Sequence, residues 1–253
     1  MMVTTGLFHP SGVGKSDPGR VRARNEDAMI CEDELGVYAV IDGVGGQAAG
    51  DQAAAIAREM LLRRLSRLTG TISERLREAI AIANNEIHRQ ARQQPDRRGM
   101  ACVLTVAVIA GGWLTIGHVG DSRLYLLYEG KIEKLTSDHS PVGAREDEGS
   151  LAEIEAMRHP RRNEIDREVG GELRAPEDED FIEIIEAPLP PDCALLLCTD
   201  GLSDLVTREG IARIEARHRH DPPRVVDELI RAANEAGGRD NITVVYVTGA
   251  GRG

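Results

Sequence analysis

The chain has 253 residues, 31 Lys+Arg against 42 Asp+Glu, a formal net charge of −11 and only one Trp, four Tyr and two Phe. A general nucleic-acid binder needs a basic face, so this balance excludes one, and no stretch reaches the ~18 apolar residues of a membrane helix. Four cysteines in a chain this long make no disulfide framework, and no basic-flanked apolar leader opens it. The expectation is a cytoplasmic, single-domain protein over residues 1–253 with an aliphatic core.

In chain order, residues 1–30 are polar and turn-rich. Residues 37–42 (VYAVID) predict a strand, Gly43 to Gly50 a glycine-rich turn, and 51–69 a helix with Ile56, Met60, Leu61, Leu65 and Leu68 near one face. Ser73 can cap a second helix that steps through Leu76, Ile80, Ala83, Ile87 and Ala91. From Cys102 short β-rich runs are separated by the two-residue steps Gly111-Gly112, Gly120-Asp121 and Glu129-Gly130. This predicts an antiparallel meander of four strands over 102–135. Fifteen of the 42 acids lie between Glu146 and Glu186, so 138–180 reads as a solvated, partly helical insertion. Strands follow at 181–185 and 193–199. A helix starts at Asp221-Pro222, runs on Val225, Val226, Leu229, Ile230 and Ala233, and ends at Gly237. A final strand covers Ile242 to Val247.

Several motif-like features fail on spacing. Gly14-Lys15-Ser16 resembles the end of a P-loop, but the motif's first glycine would stand where His9 is. Gly43-x-Gly45-x-x-Ala48 fits a relaxed dinucleotide fingerprint, but Asp42 would repel a pyrophosphate and no strand–helix–strand unit follows. The residues six past the cysteines are Val37, Val108, Thr199 and Asp204, so the Cys-to-Arg spacing of a cysteine phosphatase is absent. The seven histidines are scattered, which disfavours zinc.

One pattern recurs instead. Asp42 ends VYAVI, Asp200 ends ALLLCT, Asp121 ends WLTIGHVG, Glu26-Asp27 precedes Ala28 to Cys31, and Asp240 leads into ITVVYV. Each alone is an ordinary turn residue. Gathered at one end of a sandwich, the acids of these five segments would repel one another unless multivalent cations joined them. An all-oxygen donor set selects Mg²⁺ or Mn²⁺, and Gly43 leaves its carbonyl open to close approach. Two such ions activate a water near neutral pH, and Arg22 is placed to anchor a phosphate. The residues themselves therefore point to a binuclear hydrolase of phosphoesters without choosing the ester.

The blocks SDPGRVRARNEDAMI (16–30), VYAVIDGVGGQAAGDQAA (37–54), LTIGHVGDSRLYLLYEGKIEKLTSDHS (114–140), CALLLCTDGLSDLV (193–206) and GGRDNITVVYV (237–247) resemble, in order and spacing, the metal-dependent protein phosphatase 2C family in its bacterial form. The resemblance implies an α+β, four-layer α-β-β-α sandwich of two antiparallel sheets, with a metal cleft at one end and a flap at about 141–180. It implies hydrolysis of phosphoserine and phosphothreonine by direct attack of a metal-bridging hydroxide, without a covalent intermediate. Two Mg²⁺ or Mn²⁺ ions are implied, with a third, weaker one. By position, Asp42 would bridge both metals and the Gly43 carbonyl would bind the second; Asp200 and Asp240 would hold the first. Glu26 would act through waters with Asp27 in support, and Asp121 with Asp200 would form the third site. Arg22 would hold the substrate phosphate and Asn241 would steady the Asp240 turn. Expected partners are phosphorylated proteins and a cognate Ser/Thr kinase, with no nucleic acid or membrane, for a monomer.

Three positions depart from the family pattern. Val44 stands where animal members carry a His acid and many bacterial ones a Met. Met100-Ala101 replaces a Gly-Thr-Thr strand entry. His139, in SDHS, reads as a structural strand-exit residue. Two competing readings are a catalytically weak regulator or scaffold for a kinase or anti-sigma-type partner, and a phosphatase for nucleotides or small metabolites.

Overall fold

The computed structural model describes residues 9–44 and 49–249. Ten strands form two five-stranded antiparallel sheets. The first has the order β1 (Pro10–Asp17), β10 (Ile242–Gly249), β9 (Ala194–Cys198), β6 (Arg123–Tyr128), β7 (Lys131–Lys134). The second has the order β2 (Ala28–Glu32), β3 (Val37–Val44), β4 (Ala101–Ala110), β5 (Trp113–Val119), β8 (Glu183–Pro188).

Strands buried on both faces read as unbroken apolar runs, because each successive side chain enters a different core. Along β9, Leu195 and Leu197 point between the sheets, where they join Tyr38, Val40, Ala107, Ile116 and Val245. Leu196 and Cys198 point outward onto helices α6 (Arg208–His218) and α7 (Pro222–Glu235), beside Val225, Leu229 and Tyr246. Along β3, Tyr38 and Val40 face the intersheet core. Ala39 and Ile41 face α1 (Gly50–Leu65) and α2 (Ile72–Gln93), meeting Leu61, Leu76 and Ile80. Helix, sheet, sheet and helix thus form the four expected layers. Met100 and Ala101 are buried at the start of β4, with Met100 in the helix-side core, so this departure is a packing change.

The meander expectation needs correction. Gly111-Gly112 and Glu129-Gly130 have positive φ at both residues, as two-residue type I′ hairpin turns require, and they close β4–β5 and β6–β7. The step between them is no hairpin: β5 pairs with β8 and β6 with β9. Gly120, at φ 110, carries the chain from one sheet to the other. A Cβ there would lie 2.3 Å from the Val103 side chain. Asp121 consequently sits between the sheets rather than on a surface turn.

Other boundaries also differ. Residues 10–17, expected as turns, form the edge strand β1 along β10. Its glycines permit close packing, since a Cβ on Gly12 would meet Tyr38 at 2.4 Å and one on Gly14 would meet Met29 at 2.7 Å. Lys15 and Ser16 are strand residues here, which removes the P-loop reading. Strand β3 continues through Gly43 to Val44 before the expected glycine turn, of which residues 45–48 lie outside the described residues. Thr71, not Ser73, caps α2, in a reciprocal capping box with Glu74. The strand expected at 181–185 begins at Glu183, with Phe181 and Ile182 buried ahead of it. The one-turn helix α5 (Asp200–Ser203) and helix α6 have no counterpart in the sequence reading, whereas Asp221 caps α7 and Pro222 opens it as expected.

The segment 141–180 contains α3 (Pro141–Asp147) and α4 (Glu153–Met157) and is otherwise irregular. It is less solvated than its composition suggests. Arg123 of β6, itself buried, donates to Asp138 at 2.6 Å and to Glu146 of α3 at 2.8 Å, and Arg162 donates to Asp204 at 2.7 Å.

Candidate active site

Antiparallel pairing fixes where the acids fall. With neighbouring strands reversed, the end of β3, the starts of β2 and β4 and the end of β5 share one edge of their sheet. The end of β9 and the starts of β6 and β10 share the matching edge of the other. Glu26, Asp42, Gly43, Asp121, Asp200, Asp240 and Asn241 therefore line one cleft of about 440 Å³ together with Arg22. Asp27 lies behind its floor, accepting from the hydroxyls of Thr243 (2.6 Å) and Thr199 (3.0 Å). Every residue singled out from the sequence is thus in or against one site.

The backbone around the acids is tightly built. A Cβ on Gly43 would lie 2.4 Å from the Gly50 backbone and 2.6 Å from the Glu26 carbonyl, and one on Gly50 would meet the Glu26 carboxylate at 2.7 Å. Asn241 does more than steady its own turn. Its Oδ1 accepts from the Glu26 N–H (2.8 Å), and its Nδ2 donates to the carbonyls of Pro18 (3.0 Å) and Arg24 (2.9 Å). One amide thereby ties the loop carrying Arg22 and Glu26 to the start of β10. Its own N–H donates to Asp240 Oδ1 at 2.9 Å, and Arg22 donates to Asp240 Oδ2 at 2.7 Å.

The electrostatics match a cation site. Burial first, and then neighbouring carboxylates, hold Asp42 and Asp200 well above the usual carboxylate range. Burial pushes Asp121 up to about 7, with repulsion from Asp138 and Asp204 adding and Arg123 opposing. Asp27 is pushed up to about 6 by burial, and its two threonine hydroxyls hold it back. Asp27 Oδ1 and Asp200 Oδ1 are buried oxygens with no hydrogen-bond partner. Crowded carboxylates with unsatisfied oxygens are costly alone and are relieved by a hard divalent cation. The donor set, carboxylates and the Gly43 carbonyl without sulfur or imidazole, fits Mg²⁺ or Mn²⁺.

Some functional geometry escaped the sequence. Arg24, Val103, Asn163 and Ile165 also line the cleft, and for Asn163 and Ile165 nothing in the polar segment around them signals this. The histidines are not all scattered: the rings of His118 and His139 lie 4.8 Å apart, with Glu183 beside them. Both ring nitrogens of His118 are already used, Nε2 with the Ser137 carbonyl (3.0 Å) and Nδ1 with the Thr105 hydroxyl (2.9 Å). His139 accepts from the Gly120 N–H at 3.1 Å, and its own N–H donates to the Gly120 carbonyl at 2.7 Å. It thus clamps the crossover glycine, which is a structural task.

Known proteins are similar to this chain in sequence and in fold. A family model described as "Protein phosphatase 2C" matches residues 20–242. The chain is 36% identical over 236 residues to the serine/threonine protein phosphatase PstP of Mycobacterium tuberculosis, covering 91% of this chain but 43% of that relative. It is 34% identical over 241 residues to the serine/threonine phosphatase stp of Listeria monocytogenes, covering 92% and 93%. Among solved structures, the catalytic domain of PstP in complex with two manganese ions superposes with a TM-score of 0.82 at 32% identity, covering 94% and 97%. The chain thus spans less than half of one of these relatives and nearly all of the other.

Proposed function

Because the chain belongs to the protein phosphatase 2C family, we propose that its acidic cleft hydrolyses phosphoserine and phosphothreonine esters of proteins with the help of divalent cations. The observation that carries this is the convergence of Asp42, Asp121, Asp200 and Asp240 on one cleft, with orphaned carboxylate oxygens on Asp27 and Asp200.

In this reading Asp42, Asp200 and Asp240 hold two cations with the Gly43 carbonyl, Glu26 and Asp27 support them, and Asp121 with Asp200 serves a third. When bound, the cations supply Lewis acidity, which makes a water nucleophilic near neutral pH and neutralises charge on the phosphoryl oxygens. Arg22, at the cleft rim with its side chain 54% exposed, offers a guanidinium that pairs two phosphate oxygens at once. Asn241 holds Arg22's loop in register with the acids. Val44 lines the cleft and has no transferable proton, so no side chain at that position serves the leaving group.

The flap at about 141–180 faces the substrate, and Asn163 and Ile165 on the cleft wall support that placement. We also place the protein in the cytoplasm as a monomeric, single-domain phosphatase opposing a Ser/Thr kinase. Among the described residues no helix is long and apolar enough to cross a membrane. The regulator reading loses ground because none of the expected acids is missing.

The test is turnover of p-nitrophenyl phosphate and a phosphothreonine peptide with Mn²⁺ and with EDTA. Activity should require the metal and fall by roughly a hundredfold or more in Asp200→Asn. Metal-independent turnover, or an unimpaired variant, would refute the reading.

A further inference from the structure

Arg22 is not alone at the mouth of the cleft. The loop 18–24 carries Arg20, Arg22 and Arg24 at alternate positions, all exposed, and both Arg22 and Arg24 line the cleft. Arg22 is paired with Asp240. Arg24 has no side-chain hydrogen bond or ion pair among the described residues, although this chain carries an 11-charge excess of acid. Its backbone is nevertheless fixed, because its carbonyl accepts from Asn241 Nδ2 at 2.9 Å.

The flap contributes only neutral side chains, Asn163 and Ile165, to the lining of the same cleft, and Glu164 between them is paired with Arg161. The carboxylates that do line the cleft are those of the proposed cation site. The rim therefore holds one cation for the reacting phosphate and a second with nothing to bind. Two residues of any chain span at most about 7 Å, so Arg22 and Arg24, two apart on this turn-and-bend loop, are within the reach of one or two residues of an extended peptide.

We propose that Arg24 is a specificity-determining residue that binds a second anionic side chain, a phosphate or a carboxylate, one or two positions from the phosphorylated residue of the substrate. A guanidinium suits either group, since its planar fork donates two parallel hydrogen bonds to phosphate or carboxylate oxygens. The contact selects among phosphoproteins and takes no part in bond breaking. It rests on the phosphatase reading of the cleft.

Three phosphothreonine peptides of one sequence test it, differing two positions from the phosphothreonine: alanine, glutamate, or a non-cleavable phosphonate analogue of phosphothreonine. With Mn²⁺, the wild type should favour an anionic peptide over the alanine peptide by about tenfold in kcat/KM, the scale of one hydrogen-bonded charge pair, with the difference in KM. Arg24→Ala should bring that ratio near one, and Arg24→Glu should invert it. A preference confined to the phosphonate peptide identifies phosphate as the ligand, and one shared with glutamate identifies negative charge. No preference in the wild type, or one that survives in Arg24→Ala, overturns the proposal. p-Nitrophenyl phosphate, which has no flanking residue, separates the two failures. If the wild type cleaves it without discriminating among the peptides, only the role of Arg24 is lost. If the wild type cleaves none of these esters, the phosphatase reading falls and takes this proposal with it.

Discussion

Replacing Asp121 by Asn should stabilise the protein in EDTA and weaken it as a cation binder. The carboxyl of Asp121 is pushed up to about 7 by burial and by Asp138 and Asp204, against the opposing charge of Arg123. Ordinary aspartate titrates near 3.9, and each unit of difference is worth about 1.4 kcal/mol. Keeping Asp121 ionised therefore costs the folded state at most about 4 kcal/mol. The sign follows from linkage: a carboxyl raised in the folded state is protonated in both states below about pH 4, so the cost is absent there. It grows as the unfolded chain ionises and is complete above about pH 7. Asparagine keeps the shape and removes the charge, but its amide still pays part of the burial cost. About half of the upper limit, roughly 2 kcal/mol, should be recovered at pH 8, which for a domain of this length is a Tm rise of roughly 4–8 °C. The assay is a pair of thermal melts in EDTA at pH 8 and pH 4, with Mn²⁺ titrated into a parallel set. The gain should vanish at pH 4, and Mn²⁺ should stabilise the variant less than the wild type. A variant that melts at or below the wild type in EDTA at pH 8 would show that carboxylate crowding does not strain this cleft.

Asn241→Ala should cost about 2–4 kcal/mol, since it strands the Glu26 N–H and the carbonyls of Pro18 and Arg24 at about 1 kcal/mol or more each. Urea unfolding measures it, and a loss under 1 kcal/mol would contradict the tie drawn between the Arg22 loop and β10. Mn²⁺ binding should release protons, because Asp27 and Asp121 sit near 6 and 7 and ligands must ionise to bind. Calorimetry at pH 6 in buffers of different ionisation enthalpy should show release that shrinks by pH 9, and Mn²⁺ affinity should fall as pH drops from 7 to 5. Affinity that is flat across that range would argue against carboxylate ligands.

The acids were legible from sequence because the strands that carry them are buried on both faces. Such strands appear as apolar runs with sharp ends, and Asp42, Asp200 and Asp240 punctuate those ends. What pairs with what was harder to read. Gly120-Asp121 looks like the neighbouring hairpin steps, and only the partners of β5 and β6, distant at β8 and β9, show that the chain changes sheets there. Strand β1 has almost no apolar pattern of its own; β10 and the rings it covers make it a strand. Helix α6 buries little beyond Ile211 and Glu215, so its periodicity is faint. The flap acids suggested a solvated surface because composition carries no trace of Arg123 waiting beneath them. Arg24 was written beside Arg22, but that it lines the cleft without a side-chain partner among the described residues is visible only in the folded chain.

Strand β10 lies between β1 and β9, and Asp240 and Asn241 stand immediately before it. During synthesis the polypeptide therefore leaves the ribosome with its opening strand unpaired and its acidic cluster one member short. The acidic cleft is complete only once Asp240 and β10 have emerged, so on the phosphatase reading a nascent chain stalled earlier should be catalytically silent however well its second sheet, which lacks β10, has formed.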